Sequence, residues 1–437
     1  QKVVADVNLP EFIRTAPSAF DAENLTQTFA KLKELGWPVN VAVREFEDNE
    51  YTIDFPGWGA ASVDFKQGIH RLQTFVDEQL ASFERDSENI YRRSESYASF
   101  ANEMKATSRY FKNVDYQFAD LATTELWELI GTIFENSKLT PFGTIINKWE
   151  KKYGLGVFSK KSGKFGDRKT SRREFYNSLG STAYQRFVNF KNLWAETFFW
   201  APGMVPVAPV SIKGEALPSK KWALDKVRTI IGAPLSHYIV STVFNYAPNH
   251  NFKWQDGPIK VGLPLTGAGM SNVYARHSAM DVHVAGDCSE FDSTLSGVVL
   301  EQIKAIRKMG FAQHKDKDRI ARLIDIEYRN ISEQLLGLTS SGKVMRKGTG
   351  LSTGHSSTSM DNSIGMGVLY LMAWKEITGL SAKDFKFFNE LSVYGDDHIL
   401  SWRADAPPSW TFPNIQAVML KWGITNNLES APSAGLE

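Results

Sequence analysis

Two pairs of aspartates in this sequence stand where a divalent cation could be held. Asp287 closes a run in which Val282 and Val284 alternate, and Asp292 follows five residues later, where the chain turns into a helix beginning near Ser293. A carboxylate at a strand end and another at a helix start can share a cation beside a substrate. Asp292 or Ser293 could equally be an ordinary helix N-cap. The second pair, Asp396 and Asp397, follows Gly395 between two short β-like runs, a hairpin signature. Turn aspartates can hydrogen-bond their own backbone. Two adjacent carboxylates at a hairpin tip nevertheless repel, and a bound cation relieves that repulsion. His398 beyond them reads as a strand side chain without a role.

A third group lies between the two pairs. Gly348, Gly350, Ser352, Thr353 and Gly354 form a glycine-rich loop ahead of a long helix, with Met360, Ile364, Val368 and Leu371 on one face. Thr358 and Asn362 are four apart and project from the same side of that helix. The glycine spacing is not the dinucleotide-binding fingerprint. A flexible loop with a Ser/Thr-rich cap is the plain alternative.

The elements around these groups carry positive charge. Lys226 to Ile231 alternates as a strand does, so Lys226 and Arg228 share a face that could hold a polyphosphate, or simply keep an edge strand soluble. Residues 151–173 carry nine basic residues, including Lys160, Lys161, Arg172 and Arg173, against Asp167 alone, with Phe158 and Phe165 interleaved. Such a stretch is a solvated loop or a nucleic-acid contact surface. Residues 1–150 read as mostly helical, with apolar spacing around Phe20–Leu35, Phe65–Phe83 and Leu121–Ile133. The apolar segment Phe198 to Val210 is broken by prolines and reads as a buried loop or short strands.

Composition limits the classes open to the chain. Its 437 residues suggest two to four domains or one multi-lobed enzyme, and 42% hydrophobic residues with 12% aromatics exclude wholesale disorder. Fifty basic residues against 49 acidic ones leave a weak overall field, so an anionic partner must meet a local basic region. The single cysteine, Cys288, excludes an intramolecular disulfide framework and a Cys-rich zinc site. No apolar run is long enough to cross a membrane as a helix, so no membrane insertion is expected. The chain begins at Gln1 without an initiator Met, as a processed product or a fragment would.

Order and spacing join these groups. Asp-x4-Asp, then Thr-Gly-x3-Thr-x3-Asn, then Tyr394-Gly395-Asp396-Asp397 closely resembles palm motifs A, B and C of viral RNA-dependent RNA polymerases. The Lys226/Arg228 segment resembles motif F, and Ile415 to Thr425, with Lys421, resembles motif D. Together they cover about half the chain, roughly residues 213–425.

The resemblance implies an α+β right-hand fold. Residues 1–150 would form a mostly helical N-terminal extension and fingers, 151–280 fingers with the basic stretch and motif F, and 281–437 the palm. Only about 40 residues follow Asp397, so no thumb is expected within this chain. Asp287 and Asp396, assisted by Asp397, would ligate two Mg²⁺ ions, with Mn²⁺ as the substitute. Lys226 and Arg228 would face the triphosphate, and Asp292 and Asn362, supported by Thr358, would read the ribose 2′-hydroxyl. Ser352, Thr353 and Gly354 would form the motif B loop, and Tyr394 and Gly395 the motif C turn. Lys160, Lys161, Arg172 and Arg173 would line an RNA channel.

The implied partners are RNA template, nascent RNA and NTPs, with viral capsid or another replication protein as a further possibility. The implied location is host cytoplasm or the virion interior. A reverse transcriptase is the alternative, but that family puts a bulky aromatic where Asp292 stands. A catalytically inactive palm, acting as an RNA-binding or capsid-associated protein, is the other, and intact Asp287, Asp396 and Asp397 speak against it. A phosphohydrolase with clustered aspartates leaves the Gly/Thr/Asn loop and helix unexplained. The motif forms fit both picorna-like positive-strand enzymes and partitivirus- or picobirnavirus-like double-stranded RNA enzymes.

Overall fold

Strand and helix periodicities alternate along the chain, and the elements they form build a mixed fold of helices and sheets. A computed structural model describes residues 42–45, 51–54, 91–93, 106–110, 123–141, 143–145, 172–182, 184–186, 188–189, 207–218, 227–233, 235–332, 334–338 and 343–429. The first half holds β1 (Ala42–Glu45), β2 (Tyr51–Asp54), β3 (Tyr91–Arg93), α1 (Thr123–Leu129), α2 (Arg172–Ser178), β4 (Val207–Ile212), β5 (Ala216–Pro218) and β6 (Thr229–Ile231). Then come α3 (Leu235–Asn251), α4 (Ala268–His277), β7 (Val282–Cys288), α5 (Phe291–Thr294), α6 (Gly297–Gly310), α7 (Lys317–Ser332), β8 (Leu335–Leu338) and β9 (Lys343–Arg346). The last part holds α8 (Thr358–Thr378), α9 (Ala382–Phe388), β10 (Asn389–Tyr394), β11 (Asp397–Trp402), α10 (Phe412–Lys421) and β12 (Asn426–Leu428).

The described strands form three sheets. Six strands run in the order β1-β2-β9-β8-β4-β6, four in the order β10-β11-β7-β12, and β3 pairs with β5. The four-stranded sheet is antiparallel at every pairing, and the six-stranded sheet has one parallel pair, β4 with β8. Of the helical spacings read in residues 1–150, Leu121–Ile133 yields α1 and a 3-10 turn over Gly131–Phe134. The other two lie outside the described residues. The proline-broken segment ends inside β4, with Pro209 in the strand.

The core is organised around α8. A single apolar face is expected from its sequence, but every residue from Met360 to Trp374 is buried. A helix buried on all sides is a central element, with partners on more than one flank. Here those partners are α6, α10 and β10. At its C-terminal end Trp374 meets Trp410 edge-on at 4.9 Å and Phe385 at 5.8 Å. Both indole N–H groups are satisfied, Trp374 by the Ser381 carbonyl and Trp410 by Asn389 Oδ1.

The motif F strand also departs from expectation. It begins at Thr229, so Arg228 precedes it, although the Arg228 carbonyl still accepts from Lys213 N at 2.8 Å. Thr229 and Ile231 are buried and Ile230 is exposed, the alternation of a strand with one face on the core. Lys226 lies outside the described residues.

Candidate active site

The β10–β11 hairpin presents the aspartate pair. Tyr394 pairs with Asp397, leaving Gly395 and Asp396 as a two-residue loop. Such tight loops need a positive φ, which Gly395 supplies at 68°. Gly395 N donates to Ser363 Oγ of α8 at 2.8 Å, pinning the turn to the central helix. Asp396 is half-buried and Asp397 exposed.

On the other side of β11, the ladder with β7 ends at His398↔Gly286. One step further along the same register brings Asp287 beside the aspartate turn. Burial pushes the Asp396 carboxyl above its ordinary range, and the charges of Asp397, Asp287 and Asp292 add to that shift. Three neighbouring carboxylates thus act on Asp396. Among the described residues no three His, Cys, Asp or Glu side chains close into a metal cage. Mg²⁺ needs none, because it keeps several waters and takes one or two carboxylates together with substrate phosphates. Hard oxygen donors crowded by like charge fit such an ion. His398, buried behind the turn, places Nδ1 2.8 Å from the Asp396 carbonyl.

The glycine-rich loop packs between the motif F strand and the start of α5. Ile231 N donates to Thr353 Oγ1 at 3.0 Å. A Cβ on Gly354 would stand 2.3 Å from the Ile231 carbonyl oxygen, so only glycine permits this approach. On the other side, Leu351 N donates to the Asp292 carbonyl at 2.6 Å and Gly350 N to that of Leu295 at 2.8 Å. The Thr358 hydroxyl has three loop carbonyls within reach, those of Ser352, Thr353 and His355 at 3.0–3.2 Å. It can donate to only one at a time, and it staples the loop to the first turn of α8. Asn362 is 8% exposed, and its Oδ1 has no hydrogen-bond partner among the described residues. A buried carbonyl oxygen left unpaired is costly unless a ligand supplies a donor.

Several residues around the loop carried no sequence signal. Lys347 is fully buried, donates to the Gly350 carbonyl at 2.6 Å and to Ser352 Oγ at 3.2 Å, and is pushed down to about 7 by burial. Ser352 Oγ in turn donates to Gln334 Oε1. Below the loop, Asp361 takes Arg307 at 2.7 Å, Tyr328 at 2.7 Å and Ser357 at 3.0 Å. Tyr110 donates to Asp292 Oδ2 at 2.8 Å. The contacts of Asp361 with Arg307 and Tyr328, of Ser352 with Gln334 and of Tyr110 with Asp292 span long sequence separations, and no local pattern marks them.

Among the proposed cationic contacts, Arg228 and Arg173 are exposed, and Arg172 opens α2. Lys160 and Lys161 lie outside the described residues, as Lys226 does. Tyr394 is exposed beside the turn, and Lys421 ends α10, exposed.

The family model described as viral RNA-dependent RNA polymerase fits residues 143–430. Genome polyprotein 1 of Barley mild mosaic virus is 30% identical over 196 residues, covering 43% of this chain and 8% of the polyprotein. The genome polyprotein of Southampton virus is 28% identical over 231 residues, 51% of this chain and 12% of the polyprotein. That of Norwalk norovirus is 29% identical over 216 residues, 48% and 11% respectively. The matched region is thus about a tenth of the length of these picorna-like virus polyproteins. With two thirds of its length matched by the family model, the chain belongs to the viral RNA-dependent RNA polymerase family.

Proposed function

We propose that this chain carries out template-directed RNA synthesis from NTPs on an RNA template, as the fingers and palm of a right-hand polymerase. The observation that carries the reading is the register that brings Asp287 of β7 beside Asp397 of β11 and the Asp396 turn, with the glycine-rich loop hydrogen-bonded to the Asp292 and Leu295 carbonyls of the segment that follows β7. Asp287 and Asp396, with Asp397 assisting, would hold two Mg²⁺ ions, or Mn²⁺ in their place. Bound there, the metals would lower the pKa of the attacking 3′-hydroxyl and stabilise the leaving pyrophosphate.

The protein's own residues do the rest. Arg228, with Lys226, neutralises the triphosphate, where charge builds during displacement. The ribose 2′-hydroxyl donates its one proton to Asp292 or to the unpaired Asn362 Oδ1, so a deoxynucleotide leaves an acceptor of the site unsatisfied. Thr358 acts through the loop, holding Ser352, Thr353 and Gly354 in shape. Lys160, Lys161, Arg172 and Arg173 contact template phosphates. Reversing those four charges should weaken RNA binding and flatten its salt dependence; an unchanged salt slope contradicts that role.

The test is incorporation of labelled NTPs or dNTPs on a short single-stranded RNA template with Mg²⁺ or Mn²⁺, run beside Asp396→Ala. The expected result is product from NTPs only, abolished by the substitution. Preferential dNTP incorporation would instead identify a reverse transcriptase.

A further inference from the structure

The carboxylate proposed to read the ribose is held by a part of the chain that the family match does not reach. Ser108–Tyr110 form a single 3-10 turn, more than thirty residues ahead of residue 143, where that match begins. Tyr110 is completely buried, in a cluster with Ala208, Val210, Ile231, Leu336 and Leu338 of the six-stranded sheet. Its carbonyl accepts from Gly348 N at 2.6 Å and Thr349 N at 3.1 Å, so the turn is anchored to the root of the glycine-rich loop. Its hydroxyl donates to Asp292 Oδ2 at 2.8 Å across 182 residues of sequence.

We infer that Tyr110 is a positioning residue for sugar selection: its hydroxyl fixes the Asp292 carboxylate so that Oδ1 is presented to the ribose. The inference rests on Asp292 contacting the sugar. A free carboxylate turns about its Cβ–Cγ bond and offers either oxygen. Here Oδ2 is committed to the phenol, and the Asp292 carbonyl is tied to Leu351 N at 2.6 Å. Among the described residues, Oδ1 has only the Arg109 guanidinium at 4.0 Å, beyond hydrogen-bond range, and the Asp292 side chain is 20% exposed. Without the phenol, the carboxylate is free to swing toward the cations around it, Arg109 and the buried Lys347. Burial and the neighbouring Asp292 charge both hold the Tyr110 phenol protonated, so it remains a donor.

The experiment compares the full chain with Tyr110→Phe, Asp292→Ala and the double variant, measuring kcat and KM for an NTP and its 2′-deoxy counterpart on one RNA template. Tyr110→Phe keeps the ring and its packing and removes only the donor. The expected result is a KM for the NTP raised about tenfold, kcat and the dNTP parameters little changed, and the NTP/dNTP preference reduced about tenfold. In the Asp292→Ala background, Tyr110→Phe should add nothing. If Asp292→Ala erases the preference and Tyr110→Phe leaves it intact, the role of Tyr110 is overturned and that of Asp292 stands. If kcat falls equally for both sugars in Tyr110→Phe, the residue is structural and the inference fails. If Asp292→Ala leaves the preference unchanged, the ribose contact fails and the inference with it.

Discussion

Two carboxylates on neighbouring elements, Asp361 on α8 and Asp396 at the β10–β11 turn, are treated in opposite ways. Asp361 is completely buried and wholly satisfied: Arg307, Tyr328 and Ser357 converge on it, and Arg307 reaches on to Asn249 Oδ1 at 2.7 Å. Asp396 is half-buried, held in place by its backbone, and surrounded by like charge from Asp397, Asp287 and Asp292. A buried charge survives folding only when it is paired. Asp361 therefore belongs to the scaffold under the loop, whereas the acids around Asp396 are the ones proposed to take a cation that comes with substrate. Glu327 is a third case: fully buried, with His237, itself pushed down to about 3 by burial, at 3.7 Å, it is pushed well above the ordinary carboxyl range by burial.

Breaking the scaffold pair should have the largest effect on stability. Asp361→Asn leaves the Arg307 guanidinium buried without its counter-charge and should cost about 3–5 kcal/mol, read by denaturant unfolding. Asp396→Asn should cost nothing by the same measurement, because it removes a repelled charge. A comparable loss in both variants would erase the distinction.

Glu327 sharpens the comparison through pH. Its folded-state pKa is raised, so its contribution to stability is fully present below the unfolded value and is lost as pH rises through the folded one. Unfolding free energy should therefore fall toward alkaline pH by an amount that Glu327→Gln removes, with the two proteins converging in acid. Parallel pH profiles would mean that the carboxyl titrates in the native state as it does in the unfolded chain.

The smallest effect is expected where the two regions meet. Ser363→Ala removes the acceptor for Gly395 N and should cost about 1 kcal/mol, with a modest fall in kcat as the turn loosens. An unchanged kcat together with full stability would show that the hairpin holds its own geometry.

The elements that carry the candidate site residues were legible because their signal lies in residue type and short spacing. The Gly395–Asp396 turn, the strand ending near Asp287, and the loop running into Thr358 and Asn362 can each be read from fewer than fifteen residues. The environment of α8 was not legible in this way: periodicity reports one apolar face and is blind to a second layer, so its burial on every side emerges only from the assembled fold. Long-range partners are invisible for a related reason. Nothing near Tyr110 announces Asp292, and Lys347 reads as one more basic residue although it is entirely buried. The motif F strand was read too long because alternation continues through Lys226 and Arg228, while the ladder residues begin at Thr229.

The most direct test of the central claim is the single-turnover rate of nucleotide addition by Asp396→Asn, set beside Asp361→Asn at equal concentrations of folded, RNA-bound protein. The division of roles predicts that Asp396→Asn folds and binds RNA normally yet loses about ten-thousandfold in rate, roughly 5.4 kcal/mol of transition-state stabilisation. Asp361→Asn should retain a rate within about tenfold of wild type once its folded fraction is accounted for, a barrier change of about 1.4 kcal/mol or less. A folded Asp396→Asn protein that adds nucleotides at near wild-type rate would contradict the account.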